Sequence, residues 1–319
     1  MINIINYIKF WIGNARPYSA PITLLCWLVA FIYGIKHGGN PSAGVIAYFG
    51  IALVHLATNL SDDYFDYKRL KNFTNSEKTI KCAYLRNGQA TLKELRNVIL
   101  FMLISAGIIG IFLTFLSGWK VLLFMIAAAP IALFYSKLSS RGLGDFAVIL
   151  AYGPLMYGGI SQVMLKSLPA EIFIISLASA IFVNTILYTH MLMDYDADVK
   201  SGKMTLCTRL KTKENALKGL AFLYLSGYII VGLLAIKTSN YLWFLTYLTM
   251  PLAIDLIHSV NQYNKYPNTI PQIHLWHLPM EQWQQKISSG SAPFFFRFLY
   301  SRNITTYYML LACFAILFE

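Results

Sequence analysis

Long apolar runs broken by polar links set the pattern of this chain. A membrane-crossing helix needs about 20 largely apolar residues. Nine stretches approach that length, at approximately 19–36, 43–60, 97–116, 120–136, 146–165, 170–192, 217–236, 241–260 and 303–318. Several links between them are very short, so consecutive spans are expected to be antiparallel neighbours. Ahead of the first span, Ile5, Ile8 and Trp11 recur at helical spacing, and residues 1–18 read as a short interfacial helix. The start lacks a basic region and a small-residue cleavage site, so no cleavable signal peptide is expected.

The basic residues test this count. With the N-terminus inside, the outer links carry only Lys36, Lys120, Lys166 and Lys237, which leaves 22 of the 26 Lys and Arg (26 minus 4) on the inner side. The positive-inside rule asks for this asymmetry, and one span more or fewer in the middle would scramble it. The inner links are also the long ones. Residues 61–96 hold eight bases from Lys68 to Arg96, and 137–145 form a turn-rich basic link. Residues 261–302 are rich in Pro and aromatics, and are read as a cytoplasmic-side segment lying on the headgroups. The expectation is a single all-α domain over 1–319, with nine transmembrane helices and a polar cap on the cytoplasmic side.

Two acidic clusters stand at the ends of apolar runs. The first is Asn59-Leu60-Ser61-Asp62-Asp63-Tyr64-Phe65-Asp66, after the run Ala43 to Ala57. On a helix Asn59, Asp62, Asp63 and Asp66 fall at i, i+3, i+4 and i+7 and share one face. The second is Asp194-Tyr195-Asp196-Ala197-Asp198, followed by Lys200, Gly202, Lys203 and Thr205. Asp194 and Asp198 are again i and i+4. Carboxylates are costly at a membrane boundary and mark function there. A mixed-charge helix end would explain the second cluster alone, but not four polar groups on one face abutting a span. Both clusters fall on the inner side, at the ends of spans two and six.

Composition agrees. The chain is 57% hydrophobic and only 13% charged, with mean hydropathy +0.54, against about 25% charged in soluble domains. A net charge of +12 would suggest nucleic acid in a soluble protein. Here the bases are confined to links, so orientation and anionic headgroups account for them, and membrane lipids rather than nucleic acid are the expected partners. Cys26, Cys82, Cys207 and Cys313 show no zinc or redox spacing and read as reduced, passive thiols.

Paired carboxylates on two helices suit a hard cation, and Mg²⁺ is usually held by a few carboxylates together with substrate phosphates and water. A diphosphate bridged between two acidic helices is the natural ligand. Lys137, Arg141, Lys203 and Arg209 lie on the side needed to take up its charge, although Arg209 reads equally as an inner-side anchor. The apolar bundle suits a hydrocarbon tail. His55 reads as a packed helix residue. Asp255 and His258, one turn apart, suit either a buried pair or polar residues facing headgroups. Ring faces stabilise cations, but most of the 21 Tyr and 21 Phe must be packing.

These motifs resemble the UbiA superfamily of intramembrane prenyltransferases. Its first signature has the form NDxxDxxxD, and here Asp62-Asp63-Tyr64-Phe65-Asp66 is followed by Leu70 in the last position. Its second, DxxxD then Gly and Lys-x-Thr, corresponds to Asp194 through Asp198, Gly202 and Lys203-Met204-Thr205. The stretches Asn59 to Tyr67, Arg141-Gly142-Leu143-Gly144-Asp145-Phe146 with Gly153-Pro154, and Gly202 to Leu210 are most similar to the 1,4-dihydroxy-2-naphthoate polyprenyltransferase branch. Asp62 stands where the usual residue is Asn, and His190-Met191-Leu192-Met193 where that branch has paired asparagines and a base.

The resemblance implies a nine-helix bundle and a prenyl transfer in a bacterial-type cytoplasmic membrane. Asp62, Asp63, Asp66, Asp194 and Asp198 would hold Mg²⁺, as two ions. Asn59, Lys137, Arg141, Lys203 and Arg209 would face the diphosphate of a polyprenyl donor. Asp66, Asp198, Lys137 and Lys203 would be catalytic, with His190 a candidate proton acceptor. The acceptor would be an aromatic compound, dihydroxynaphthoate in menaquinone biosynthesis; the alternative is a transferase of the same type with another acceptor, 4-hydroxybenzoate, a tetrapyrrole or a glycerol-phosphate lipid. Other readings fit less well. The DGxxAR continuation of CDP-alcohol phosphotransferases is absent after Asp66, and nine spans exclude the fold of soluble polyprenyl synthases. An ion-coupled transporter would place its acids near the midplane.

Overall fold

The computed structural model describes residues 4–70, 82–200 and 202–319. Among these residues every regular element is helical, and the one extended pairing is an isolated bridge between Arg141 and Met204. The basic stretch 71–81 lies outside the described residues.

Seven described helices are long and apolar enough to cross a membrane. They are α3 (Pro41–Leu70), α5 (Leu92–Ser117), α6 (Lys120–Ser140), α7 (Gly144–Leu165), α8 (Ala170–Met193), α11 (Lys213–Thr238) and α12 (Tyr241–Lys265). The expected nine spans are therefore met by seven. The first, α2 (Ala20–Lys36), is a shorter apolar helix. The last, α14 (Ala292–Leu317), has the length but carries Arg297, Arg302, Asn303, paired threonines and paired tyrosines. Both still pack into the bundle, α2 against α14 and α7, and α14 against α8. The protein is an integral membrane protein.

The short connections do fold consecutive helices back on one another. Ser117 Oγ donates to Val163 O at 2.7 Å, Asn240 Nδ2 to Ala315 O at 2.9 Å, and Lys36 Nζ to Ile316 O at 2.9 Å. These contacts gather one set of helix ends. The opposite ends carry both acidic motifs, so the bundle is chemically two-faced. Between them lies an aromatic core, where Phe182 stacks on Tyr308 at 3.8 Å with Tyr224 and Tyr228 edge-on. In lipid such packing is stabilised by close contact rather than by escape from water.

The helix α7 is not regular. It contains a π-helical turn at Ala151–Leu155, with Gly153 away from helical angles at φ −107°, ψ −113°. Pro154 has no N–H to give, and π turns recur at functional sites. A Cβ on Gly153 would stand 2.9 Å from Ala180 Cβ, so α7 and α8 touch nearly backbone to backbone there.

The N-terminal α1 (Ile4–Asn14) buries Trp11 against Phe10 and Tyr84 and exposes Ile4, Ile5, Ile8 and Ile12. Tyr84 belongs to the single turn α4 (Ala83–Arg86). The link expected over 261–302 is shorter, because α12 runs to Lys265 and α14 starts at Ala292. It is also docked rather than loose. His277 Nε2 lies 3.1 Å from Asp255 Oδ2, Tyr300 Oη donates to the same oxygen at 3.0 Å, and Asn303 Nδ2 donates to the carbonyls of His277 and Pro279. Ile273, Met280 and Trp283 pack on the core from this link, Trp283 opening the short α13 (Trp283–Ser288). Asp255 thus pairs with His277, not with His258, which bonds Gln262. All four cysteines are buried.

Candidate active site

The helix α3 continues without a break through the first motif to Leu70, which puts its polar residues on one helical surface. That surface is not uniform. Asp63, on one flank, is buried and takes Arg16 Nη2 on Oδ1 at 2.8 Å and Tyr84 Oη on Oδ2 at 3.1 Å. Both of its oxygens are engaged by protein donors, so Asp63 ties α3 to the N-terminal segment and α4. Asp62 and Asp66 are half-buried one turn apart.

Asn59 faces inward too. Its Nδ2 donates to Ala15 O at 2.9 Å and to Ser19 Oγ at 3.1 Å, and meets His55 Nε2 at 3.2 Å. Ser19 Oγ lies 2.8 Å from the same Nε2, and the ring turns its Nδ1 the other way. Thr23 Oγ1 and Tyr152 Oη lie 2.9 Å from that Nδ1. His55 is therefore the hub of a polar network running from the first motif to the π turn, more than the packed helix residue expected from sequence.

The second motif straddles the end of α8. Asp194 is its C-cap and Asp198 lies on α9 (Tyr195–Lys200). Each has a cationic or ionisable neighbour: His190 Nδ1 is 3.3 Å from Asp194 Oδ2, and Lys203 Nζ is 3.3 Å from Asp198 Oδ1. His190 also meets Phe294 and Phe298 edge-on, which brings α14 to the site. Burial pushes the Asp198 carboxyl above its usual range, Lys203 pulls it back, and the Asp194 charge adds to the rise. Asp196 points away, to Lys213 at 2.5 Å.

Two loops join the halves. Arg141 bridges to Met204, and Arg209, on the turn α10 (Leu206–Arg209), donates to Arg141 O at 2.7 Å. Gly142, at φ 73°, is where only glycine fits, since a Cβ would meet Arg209 Nε at 2.8 Å. The Arg209 guanidinium thus holds the 141–142 backbone. Lys137 Nζ sits 5.3 Å from the Phe65 ring centre, beside the first motif. Asp145 lies at the start of α7, directly after the 141–142 turn.

Sequence reasoning missed three participants. Arg16 and Tyr84 were assigned no role. Asp145 sat inside a quoted motif without a role. It is 3% exposed, and Asn184 Nδ2 donates to its Oδ1 at 3.1 Å.

The donor chemistry fits a hard cation: carboxylates in i, i+4 pairs, Asp62, Asp66 and Asp194 half-buried and Asp198 buried, with bases at hand. The side chains stand as two half-sites. Among the described residues no three His, Cys, Asp or Glu side chains converge enough to hold a metal.

An integral membrane bundle with paired carboxylate motifs at one end is the class this fold and site define. The chain belongs to the UbiA prenyltransferase family, which it matches over residues 23–276, and it is a prenyltransferase. It is 24% identical to a 1,4-dihydroxy-2-naphthoate octaprenyltransferase of Haemophilus influenzae over 216 residues, 64% of this chain and 70% of that protein. It is 33% identical over 133 residues to UbiA prenyltransferase domain-containing protein 1 of Dictyostelium discoideum, 41% of this chain and 38% of that one. In fold it resembles a digeranylgeranylglyceryl phosphate synthase, with TM-score 0.65 and 17% identity over 98% of this chain and 99% of the other. It also resembles a UbiA homologue from Archaeoglobus fulgidus solved with GPP and Mg²⁺, with TM-score 0.58 and 15% identity over 97% and 99%.

Proposed function

We propose that this protein transfers a polyprenyl group from an allylic polyprenyl diphosphate to an aromatic acceptor, 1,4-dihydroxy-2-naphthoate, in menaquinone biosynthesis. The observation that carries the reading is that the two acidic motifs end at one side of the bundle around the α6–α7 turn, where Lys137 sits beside Phe65 of the first motif and Arg141 bridges to Met204 after the second. The likeness to the Haemophilus octaprenyltransferase supports the acceptor. The chain sits in a cytoplasmic membrane of bacterial type with its N-terminus and polar end inside, α2 and α14 completing nine spans.

Asp62, Asp66, Asp194 and Asp198 would hold Mg²⁺, as two ions, which supplies neutralising charge for the diphosphate. Asp63 holds the first motif in place through Arg16 and Tyr84, and His190 holds Asp194 against Phe294 and Phe298. Lys137, Lys203 and Arg141 face the departing diphosphate, where fixed positive charge is most effective as negative charge develops. Arg209 acts through the Arg141 carbonyl, and Asn59 through the His55 network. The allylic C–O bond breaks with its electron pair going to diphosphate. The electron-rich ring then forms the new C–C bond and loses its carboxyl group as carbon dioxide.

The test is a membrane assay with radiolabelled allylic polyprenyl diphosphate, Mg²⁺ and a panel of acceptors, run with Asp66→Ala and Asp198→Ala. A prenylated naphthoquinol absent in both variants is the expected result. Product with another acceptor keeps the mechanism and changes the substrate; Mg²⁺-independent product, or none from folded protein, overturns the reading.

A further inference from the structure

We infer that Asp145 and Asn184 form the hydroxyl-binding element of the acceptor site. This rests on the reading above that the acceptor is a hydroxyarene. Asp145 lies at the start of α7 and Asn184 in the middle of α8, and both are fully buried. Their one mutual bond uses Asn184 Nδ2 and Asp145 Oδ1. Asp145 Oδ2 and Asn184 Oδ1 are left buried with no hydrogen-bond partner among the described residues.

An unmet buried oxygen costs about as much as a lost hydrogen bond. Two of them on a hydrogen-bonded pair, on helices packed against each other, define a polar niche in the bundle. Both orphaned atoms are acceptors, so the ligand group that completes them must donate. An aromatic hydroxyl does so, whereas a carboxylate or phosphate oxygen is repelled. The niche is also in the right place: Asp145 follows the turn where Arg141 bridges to Met204, just after the second motif, and Asn184 lies on the helix that Asp194 caps. An acceptor whose hydroxyl is held there has its ring next to the diphosphate half-sites. A hydrogen bond from the hydroxyl to a carboxylate pushes electron density into the ring, which favours attack on the allylic carbon. The carboxyl group of a naphthoate points away from Asp145.

The experiment uses the full chain in liposomes with dihydroxynaphthoate and its two monomethyl ethers, in wild type, Asp145→Asn and Asn184→Leu. Asp145→Asn keeps an acceptor for Asn184 and turns the orphaned oxygen into a donor. The expected result is a rise in acceptor KM of about ten- to a hundred-fold, the range for one hydrogen bond to a charged group. Donor KM stays unchanged, and the preference for free hydroxyl over one of the ethers collapses. Binding of a prenyl thiodiphosphate with Mg²⁺ shows independently that each variant is folded. Unchanged acceptor KM and ether preference in Asp145→Asn overturn the inference alone and leave the pair a packing contact around a buried water. A wild type that prenylates no hydroxyarene overturns the proposed function, and this inference with it.

Discussion

Arg16 donates to Asp63 Oδ1 at 2.8 Å from a backbone held in the left-handed conformation, φ 57°, ψ 57°. A non-glycine residue there costs roughly 1–2 kcal/mol, and the contacts of the side chain must offset it. They do so on a carboxylate flanked by Asp62 and Asp66, so the strain is spent on fixing the first motif. Arg16→Ala is expected to lower unfolding stability by about 2–3 kcal/mol, because it leaves a buried carboxylate half-paired. Tyr84→Phe, which removes one bond and keeps the ring, should cost about 1–2 kcal/mol. Thermal unfolding in detergent measures both. If Arg16→Ala melts with the wild type, Asp63 is not held as described.

Gly153 makes a second prediction. Its absent side chain lets α8 approach, with Ala180 Cβ and Ser176 O at 2.9 and 3.3 Å from where a Cβ would be. Gly153→Ala is expected to cost about 1–3 kcal/mol by overpacking. Ala180→Gly should restore part of it, since the two sites touch and couple. Additive losses in that double-mutant cycle would show that the strain lies in the π-turn backbone and not in the helix contact.

Much of this was legible in the residues. The acid motifs, their common end of the bundle and their flanking bases follow from spacing and from the run lengths of apolar residues. Where the reading fell short, the reason is physical. Hydropathy began the last span at 303, so it could not see that α14 starts at Ala292 and carries Arg297, whose Nε is met by Ser259 O. Periodicity placed Asp63 with the other acids because all four share a face. It could not show that the flank of that face meets Tyr84, a residue 21 positions away. Nor could any pattern join Asp145 to Asn184, which needs α7 and α8 already packed.

The docked link predicts a pH dependence. The His274 backbone N–H donates to His277 Nδ1 at 3.0 Å, so the ring proton sits on Nε2, facing Asp255, with Tyr300 on the same carboxylate. Protonation would place a second donor against that N–H. Burial holds His277 below its usual range, with the Asp255 carboxylate opposing the shift and His274 adding to it. The folded form therefore favours the neutral ring. Its contribution is fully present above about pH 6.5, the ordinary histidine value, and is lost as pH falls towards the lowered folded value. Melting temperature should drop between pH 7 and 5, and His277→Gln should flatten that slope. An equal slope in both proteins removes His277 as its source.

The last prediction concerns the half-sites themselves. Asp62 and Asp66 on α3, and Asp194 and Asp198 at the end of α8, set like charges one helical turn apart, an arrangement that is destabilising until a cation screens it. A ligand that binds the folded state alone adds about 2.7 kcal/mol at a hundred times its Kd. Mg²⁺ with an unreactive prenyl thiodiphosphate should therefore raise the melting temperature, and a chelator should reverse the gain. Asp66→Asn and Asp198→Asn should lose the gain, and Asp198→Asn should also lower the ligand-free melting temperature, since it weakens the Lys203 contact. Asp196→Asn should keep it, because that carboxylate is spent on Lys213 at the surface. Asp63→Asn separates the two roles assigned to the first motif. It should lower the basal melting temperature, by weakening the Arg16 contact, and leave the ligand-induced gain in place. A lost gain in Asp63→Asn with basal stability intact would instead return Asp63 to the metal.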